Sequence, residues 1–282
     1  MAEHPKHALT RHGIRAKKSL GQNFLFDDNI LGRLVAAAVV RPEETVLEIG
    51  AGLGDLTLYL AAAGAQVVAV ELDERLFPIL QERLGGLHTV RLVRADILEL
   101  RPADYFGPGY KVVANVPYYI TGAILRHLLS AAPRPERLLL TLQKEVAERM
   151  AAEPGEMSLL AATTQYYGRV KVLFTIPAGA FWPRPKIDSA AVEVRLWPEP
   201  KLSPKGEEAA FLDLLRLGFA QKRKQLRNNL LAAGWERPAV EAALSQAGLA
   251  GRRRAETLSL EEWLALFAAI GGPPAPAEGP LT

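Results

Sequence analysis

Between residues 29 and 145, short apolar runs alternate with segments whose apolar residues recur every three or four positions. No other feature of the chain restricts its fold as strongly. The runs are TVLEIG (45–50), QVVAVELD (66–73), TVRLVRAD (89–96), KVVANV (111–116) and RLLLTLQ (137–143). Between them stand DLTLYLAAAG, ERLFPILQERLG and TGAILRHLLSAA, each with helical spacing. A strand that returns to its sheet through a helix runs parallel to its predecessor. The pattern therefore predicts an α/β fold of βαβ units, with helices on both faces of a mostly parallel sheet.

After a helical stretch near 145–167 come two β-rich runs, KVLFTIPAGAF (171–181) and SAAVEVRLW (189–197). No helix separates them, which predicts an antiparallel pair closing one edge of the sheet. PEPKLSPKG (198–206), rich in proline and lysine, reads as a linker. Beyond it the pattern is helical throughout, and the last helix opens on Ser259 with Glu262 three residues on, a capping box. The expected division is residues 1–200 for the α/β domain with a basic N-terminal segment, 201–270 for a small all-α domain, and 271–282 for a disordered tail.

The chain has no cysteine, which excludes disulfides, thiolate zinc sites and thiol nucleophiles. Its five histidines, His4, His7, His12, His88 and His127, are scattered without ligand spacing, so no metal site is expected. No apolar window of spanning length occurs, and MAEHPKHALTRHGIRAKKSLG lacks the apolar core of a signal peptide. The expectation is a soluble cytoplasmic monomer that does not enter membranes. The formal net charge is only +3, but the cations are clumped at Arg11, Arg15, Lys17 and Lys18, at Lys222, Arg223, Lys224 and Arg227, and at Arg252, Arg253 and Arg254. Local patches matter more to a polyanion than the sum does.

VLEIGAGLGDLT places Gly50, Gly52 and Gly54 between a strand and a helix, where glycines let a ligand approach the backbone. The dinucleotide fingerprint wants a further glycine at 55, where Asp55 stands. The shorter form suits a compact amino-acid-bearing ligand such as S-adenosylmethionine better than a pyrophosphate, which a carboxylate at the helix start would repel. At the end of the second strand Glu71 can accept hydrogen bonds from both ribose hydroxyls. At the end of the third, Asp96 can accept from an adenine amino group, with Ile97 and Leu72 as apolar walls. Each residue alone is an ordinary turn, cap or loop position. Together, at successive strand ends, they mark one crevice, though on these residues alone NAD also fits.

NVPYY (115–119) separates the two. The exocyclic nitrogen of adenine is a poor nucleophile because its lone pair is delocalised into the ring. The Asn115 side-chain oxygen and a backbone carbonyl at Val116 or Pro117 can hold both N–H bonds, favouring a pyramidal nitrogen that faces a methyl donor in line. Pro117 fixes the backbone, and Tyr118 offers a face on which an extruded base can stack. Such stacking is worth roughly 1–3 kcal/mol per base, comparable to what unstacking costs. No general base is required before attack, which accounts for the lack of histidine and cysteine around the motif.

KKSLGQNFL (17–25), EIGAGLGDLT (48–57), RADIL (94–98), NVPYY (115–119), FWPRPKIDSA (181–190) and QKRKQLRNNL (221–230) together resemble the ribosomal RNA adenine N6-dimethyltransferases of the bacterial KsgA (RsmA) type. The resemblance runs in order over roughly residues 15–270. The family usually writes Asn-Leu-Pro-Tyr, so Val116 is a conservative departure. The resemblance implies a Rossmann-like class I methyltransferase sheet and S-adenosylmethionine as cofactor. Its implied substrate is two adjacent adenosines in the 3′-terminal hairpin loop of small-subunit rRNA, each methylated twice at N6 during small-subunit biogenesis. It implies that Gln22, Asn23 and Leu25 close over the cofactor, that Gly50, Glu71, Asp96 and Asn115 contact it, and that Phe181 helps Tyr118 sandwich the base. From the residues alone, GQNFL reads as a loop before a helix capped by Asp27 or Asp28, and Phe181 as core.

Helical spacing in QKRKQLRNNL brings Lys222, Arg223 and Arg227 together, with Lys224 in the same run. A charge run of this kind is either a solvated face or a phosphate-binding one. A base-modifying site in the same chain favours RNA. Two further readings stay open: an antibiotic-resistance methyltransferase of large-subunit rRNA, and a non-catalytic RNA-binding assembly factor.

Overall fold

The computed structural model describes residues 3–199, 201 and 205–272. Its strands are β1 (Phe24–Leu25), β2 (Thr45–Ile49), β3 (Gln66–Glu71), β4 (Val90–Arg94), β5 (Lys111–Asn115), β6 (Arg137–Gln143), β7 (Gly168–Ile176), β8 (Phe181–Trp182) and β9 (Ser189–Leu196). Seven of them form one sheet in the order β4-β3-β2-β5-β6-β9-β7. β2 runs parallel to both β3 and β5, β4 parallel to β3 and β6 parallel to β5, whereas β9 is antiparallel to β6. The chain winds outward from β2 to β4 and then crosses to β5 on the other side. The strand order therefore reverses between β2 and β5, and their carboxyl ends flank the crevice in which open α/β sheets bind ligands.

The two late runs close one edge of the sheet, as the sequence predicts. β9 lies beside β6, with β7 beyond it. The run 171–181 is broken after Ile176, and Phe181 belongs to β8, which pairs antiparallel with β1 through Phe24↔Trp182 and Leu25↔Phe181. Two-residue strands carry no periodicity, so nothing in the local sequence announces this ribbon.

Asp27 caps the helix Asp28–Ala38 by accepting from Ile30 N at 3.0 Å, and Ile30, Leu31, Leu34 and Ala38 form its buried face. The far end of this helix is held by two cations that start strands. Lys111 Nζ donates to Val39 O at 2.7 Å and pairs with Glu44 at 2.6 Å. Arg137 donates to Ala38 O at 3.1 Å and pairs with Glu193 at 2.5 Å. Positive charge at a helix C-terminus is favourable, and a lysine only 5% exposed needs such partners to stay charged. Val46, Val67, Ala69, Val113 and Leu139 on the sheet join the helix in one core.

The described chain separates into two compact units, one running to Ala147 and resuming for Arg169–Leu196, the other taking Glu148–Gly168 and the described residues from Trp197 on. The second unit is helical, and its core centres on the buried rings of Trp263, Phe211 and Tyr166. Its last helix, Leu260–Ile270, begins with the full Ser259–Glu262 capping box. The helix Lys205–Gly218 starts inside the run read as a linker. Residues 273–282 of the expected tail lie outside the described residues.

Candidate active site

The carboxyl ends of β2, β3 and β5 and the loop after β4 open on one cleft of about 800 Å³, counting the part open to solvent. That is the size of a small-molecule site. Gly50, Gly52 and Gly54 all have positive φ, at 73°, 59° and 84°, a region that residues with a side chain enter only at a cost. A Cβ on Gly52 would come within 3.1 Å of the Phe24 ring, and one on Gly54 within 3.0 Å of Leu84. The turn is therefore pressed tightly between its neighbours, with backbone at the cleft wall.

Glu71, 8% exposed, is gripped by that backbone. Gly52 N donates to its Oε2 and Asp73 N to its Oε1, both at 2.8 Å. Burial pushes its carboxyl above the usual range, against the pull of the backbone donors. Each oxygen keeps a second lone pair, so the carboxylate is oriented and still able to accept from hydroxyls. Asp96 Oδ1 accepts from Leu98 N at 2.9 Å, which leaves Oδ2 as an acceptor. Leu72 and Ile97 also line the cleft, and Leu72 is 51% exposed, an apolar surface suited to the face of a planar base. Among the described residues no lysine, arginine or histidine lines the cleft, while Glu71 and Asp96 do. A pyrophosphate would meet two carboxylates and no cation there. A cationic sulfonium is favoured by the same charges.

The N-terminal segment is strapped across this cleft. Gln22 Oε1 accepts from Lys17 N at 2.6 Å and its Nε2 donates to Asp73 Oδ2 at 2.8 Å. Arg75 grips the same aspartate through Nε at 2.8 Å and Nη2 at 2.5 Å, holding its carboxyl below the usual range, and donates to Arg15 O at 3.3 Å. Asn23 donates to Gly21 O at 3.0 Å. Gly21 has φ +63°, and a Cβ there would meet Tyr119 at 3.2 Å. Gln22 and Asn23 accordingly line the cleft.

Neither Leu25 nor Phe181 lines this cleft, but Leu25 lines a smaller pocket that shares Phe24, Gly50, Gly52 and Asn115 with it. The two residues face each other in the β1–β8 ribbon, both buried in the core, Phe181 at 2% exposure. The base sandwich expected of Phe181 and Tyr118 meets a Phe181 ring with almost no exposed face, whereas Leu25 keeps a place beside Gly50, Gly52 and Asn115. The ribbon turns both side chains inward.

Opposite the glycine turn, Asn115 ends β5. Its Nδ2 donates to Asn23 O at 2.9 Å. A carbonyl can only accept, so this bond fixes which way the amide points and leaves Oδ1 as the acceptor. Pro117 O accepts from Ile120 N at 3.2 Å, and Val116 is buried behind the edge. The Tyr118 hydroxyl and Ser189 Oγ lie 2.6 Å apart, and burial pushes the phenol above its usual range. Asn115, Pro117 and Tyr118 all line the cleft.

Several residues of the site region escape sequence reasoning. Asp55 is buried and paired with Arg83 at 2.6 Å, and Arg83 also donates to Leu53 O. The carboxylate is thus neutralised, and what disfavours a pyrophosphate is the acidic lining of the cleft and not Asp55. Glu48, fully buried on β2, has its carboxyl pushed up to about 8, chiefly by burial. The nearby Thr57 hydroxyl offsets part of this without reaching hydrogen-bond geometry, and Glu71 and Asp55 add to it. Arg83, Asp73, Arg75 and Ser189 act through partners remote in sequence or too generic to signal.

In the second unit Lys222, Arg223 and Lys224 are exposed, but on a turn between the helices Lys205–Gly218 and Leu226–Ala232. The expected helical spacing fails because buried Asn229 caps the first helix, donating to Gly218 O at 2.6 Å and Gln221 O at 3.3 Å. Arg227 lies on the second helix and pairs with Glu241 at 3.2 Å. Arg253 is bound to Glu262 and Thr257, and Arg254 lies 3.7 Å from Glu256. No helix among the described residues is long and apolar enough to cross a membrane, and no group of three metal-ligating side chains occurs among them.

A doubly wound sheet with a glycine turn, two strand-end acceptors and an Asn-x-Pro-Tyr edge defines an α/β methyltransferase. Residues 13–271 match the model of the ribosomal RNA adenine dimethylase family. The chain is 42% identical over 261 residues to the ribosomal RNA small subunit methyltransferase A of Dehalococcoides mccartyi strain 195, covering 92% of this chain and 89% of that protein. It is 42% identical over 272 residues to the protein of the same name from Moorella thermoacetica, covering 92% and 94%. Among solved structures, the 23S rRNA methyltransferase ErmE aligns with a TM-score of 0.71 at 32% identity, covering 88% of this chain and 99% of that one. A dimethyladenosine transferase from Plasmodium falciparum shares the fold, with a TM-score of 0.75 at 24% identity over 89% and 99%. The chain belongs to the ribosomal RNA adenine dimethylase family, and its cofactor is S-adenosylmethionine.

Proposed function

We propose that this protein N6,N6-dimethylates two adjacent adenosines in the 3′-terminal hairpin loop of small-subunit rRNA, acting in the cytoplasm as a monomer on the immature small subunit. The observation that carries the chemistry is the Asn115 amide, whose Nδ2 is committed to Asn23 O and whose Oδ1 is thereby left to accept.

The cofactor would lie against the backbone of Gly50 and Gly52, its ribose hydroxyls on Glu71, its adenine between Leu72 and Ile97 with the amino group on Asp96, under Gln22 and Asn23. When bound it supplies an electrophilic methyl group. Asn115 Oδ1 accepts one N–H of the target amine, and the carbonyl of Val116 or Pro117 accepts the other. The nitrogen is so held pyramidal with its lone pair directed. Tyr118 stacks the extruded base. Both acceptors are neutral, so no general base acts before transfer, and the proton departs to water afterwards.

The exposed Lys222–Lys224 turn would bind phosphate and Arg227 would reinforce it, in a salt-dependent way. The two compact units, with Glu148–Gly168 in the helical one rather than a break at residue 200 alone, fit this reading, the α/β unit carrying the chemistry and the helical unit the RNA contact. The higher identity to proteins named for the small subunit than to ErmE supports the substrate. The likeness to ErmE favours large-subunit rRNA as the second reading.

The test is transfer of labelled methyl from S-adenosylmethionine to under-methylated small and large subunits, with the modified nucleotides mapped. Label in the small-subunit hairpin loop, lowered about 100- to 1,000-fold by Asn115→Ala while subunit binding survives, is the expected result. Undiminished transfer in that variant would refute the mechanism. Label in the large subunit would move the protein to the second reading, and binding without transfer would make it an assembly factor.

A further inference from the structure

A base-stacking face needs a ring but no hydroxyl, yet position 118 carries a tyrosine whose phenol is committed. The Tyr118 hydroxyl and Ser189 Oγ are 2.6 Å apart, and Ser189 is 0% exposed. Ser189 is the first residue of β9 and pairs with Gln143 at the end of β6. The residue before it is pinned at both main chain and side chain: Asp188 O accepts from Lys144 N at 3.1 Å, and Asp188 Oδ1 accepts from Ala178 N at 2.9 Å. The serine hydroxyl is thus held by the sheet itself. At the near end of the same tyrosine, Thr121 Oγ1 donates to Tyr118 O at 3.2 Å. Backbone and phenol are fixed at opposite ends, so rotation about the Cβ–Cγ bond is all that is left, and packing of a part-buried ring limits that too.

We infer that Ser189 is a positioning residue of the methyl-transfer reaction: its hydroxyl anchors the Tyr118 phenol and sets the ring for the incoming base. The inference rests on the stacking role proposed for Tyr118. It gives the serine of FWPRPKIDSA a task that the motif alone does not suggest, and it explains a phenol where a phenyl ring would stack as well. Holding the ring in place before the base arrives spares the ordering cost at the moment of binding.

The experiment uses the full chain, S-adenosylmethionine, and two RNA substrates: the under-methylated small subunit, and a hairpin with 2-aminopurine at a target position, whose fluorescence drops on stacking. Tyr118→Ala tests the stacking itself and is expected to lower kcat at least about 10-fold. Tyr118→Phe and Ser189→Ala remove one neutral hydrogen bond from either end. Each is expected to lower kcat about 3- to 10-fold, leave KM for the cofactor unchanged and weaken the fluorescence quench. The double variant should be no worse than either single, because both delete the same bond. Wild-type kcat and quench in Tyr118→Phe and Ser189→Ala, beside a loss in Tyr118→Ala, would overturn the anchor and leave the stacking role standing. Additive losses in the double variant would overturn it equally. Full activity in Tyr118→Ala would instead remove the stacking role and the anchor with it. If Ser189→Ala does not fold, Tyr118→Phe decides alone, since it deletes only an oxygen.

Discussion

The two walls of the cleft are built differently. On the cofactor wall most polar groups are tied more than once: Glu71 by two backbone amides, Asp73 by Gln22 and by two nitrogens of Arg75, the glycine turn by Phe24 and Leu84, while Asp96 keeps one tie, to Leu98 N. On the opposite wall each reacting side chain hangs on a single bond, Asn115 Nδ2 to Asn23 O and the Tyr118 hydroxyl to Ser189. Redundant ties keep a binding surface in shape when one is lost. A single tie sets one orientation, and the reaction depends on orientation more steeply than binding does. Changes on the first wall should therefore move affinity, and changes on the second should move turnover.

The largest effect that could break this contrast is at Asn115. Asn115→Ala should cost about 100- to 1,000-fold in kcat, the scale of a lost charge-stabilising contact, with cofactor affinity by calorimetry altered far less. An equal loss of cofactor affinity would show that the two walls are not separate. Next comes Glu71→Gln, which sets an amide nitrogen against the N–H of Gly52 or Asp73. It should weaken S-adenosylmethionine about 10- to 100-fold, read by titration calorimetry, while kcat at saturation holds.

Gly52→Ala sharpens the structural side. It combines positive φ with a Cβ 3.1 Å from the Phe24 ring and should lower stability by about 1–3 kcal/mol in urea unfolding. A pH-dependent effect comes from Glu48, whose carboxyl is pushed up to about 8 from an ordinary 4.5. The folded chain keeps that proton while the unfolded chain releases it, so stability falls as pH rises from about 4.5 to about 8. Scanning calorimetry at about pH 5 and about pH 8.5 should find Glu48→Gln gaining on the parent at the higher value, and a constant gap would contradict the buried charge.

The cofactor wall was largely legible in the sequence, because its signals are local. Gly50, Gly52, Glu71 and Asp96 follow strand runs directly, and a strand that ends in a parallel sheet points its exit residues into the crevice. Asn115, Pro117 and Tyr118 were legible for the same reason. The bonds that make them work were not. Asn23 O meets Asn115 across 92 residues and Ser189 meets Tyr118 across 71, and no spacing rule reaches that far. The basic run failed for the opposite reason, since a local helical spacing was overridden when Asn229 turned inward to cap the preceding helix.

By itself, then, the sequence determined the alternation of strands and helices, and with it the strand-end crevice and the residue types around it. Those follow from burial periodicity and backbone preference, which act over a few residues. Only the tertiary structure decided that Leu25 and Phe181 go to the core, that Asp55 is neutralised by Arg83, and that the Asn115 amide commits its nitrogen to Asn23 O. Each depends on which distant partner satisfies a buried group, and that is settled only when the whole sheet and its strap are assembled.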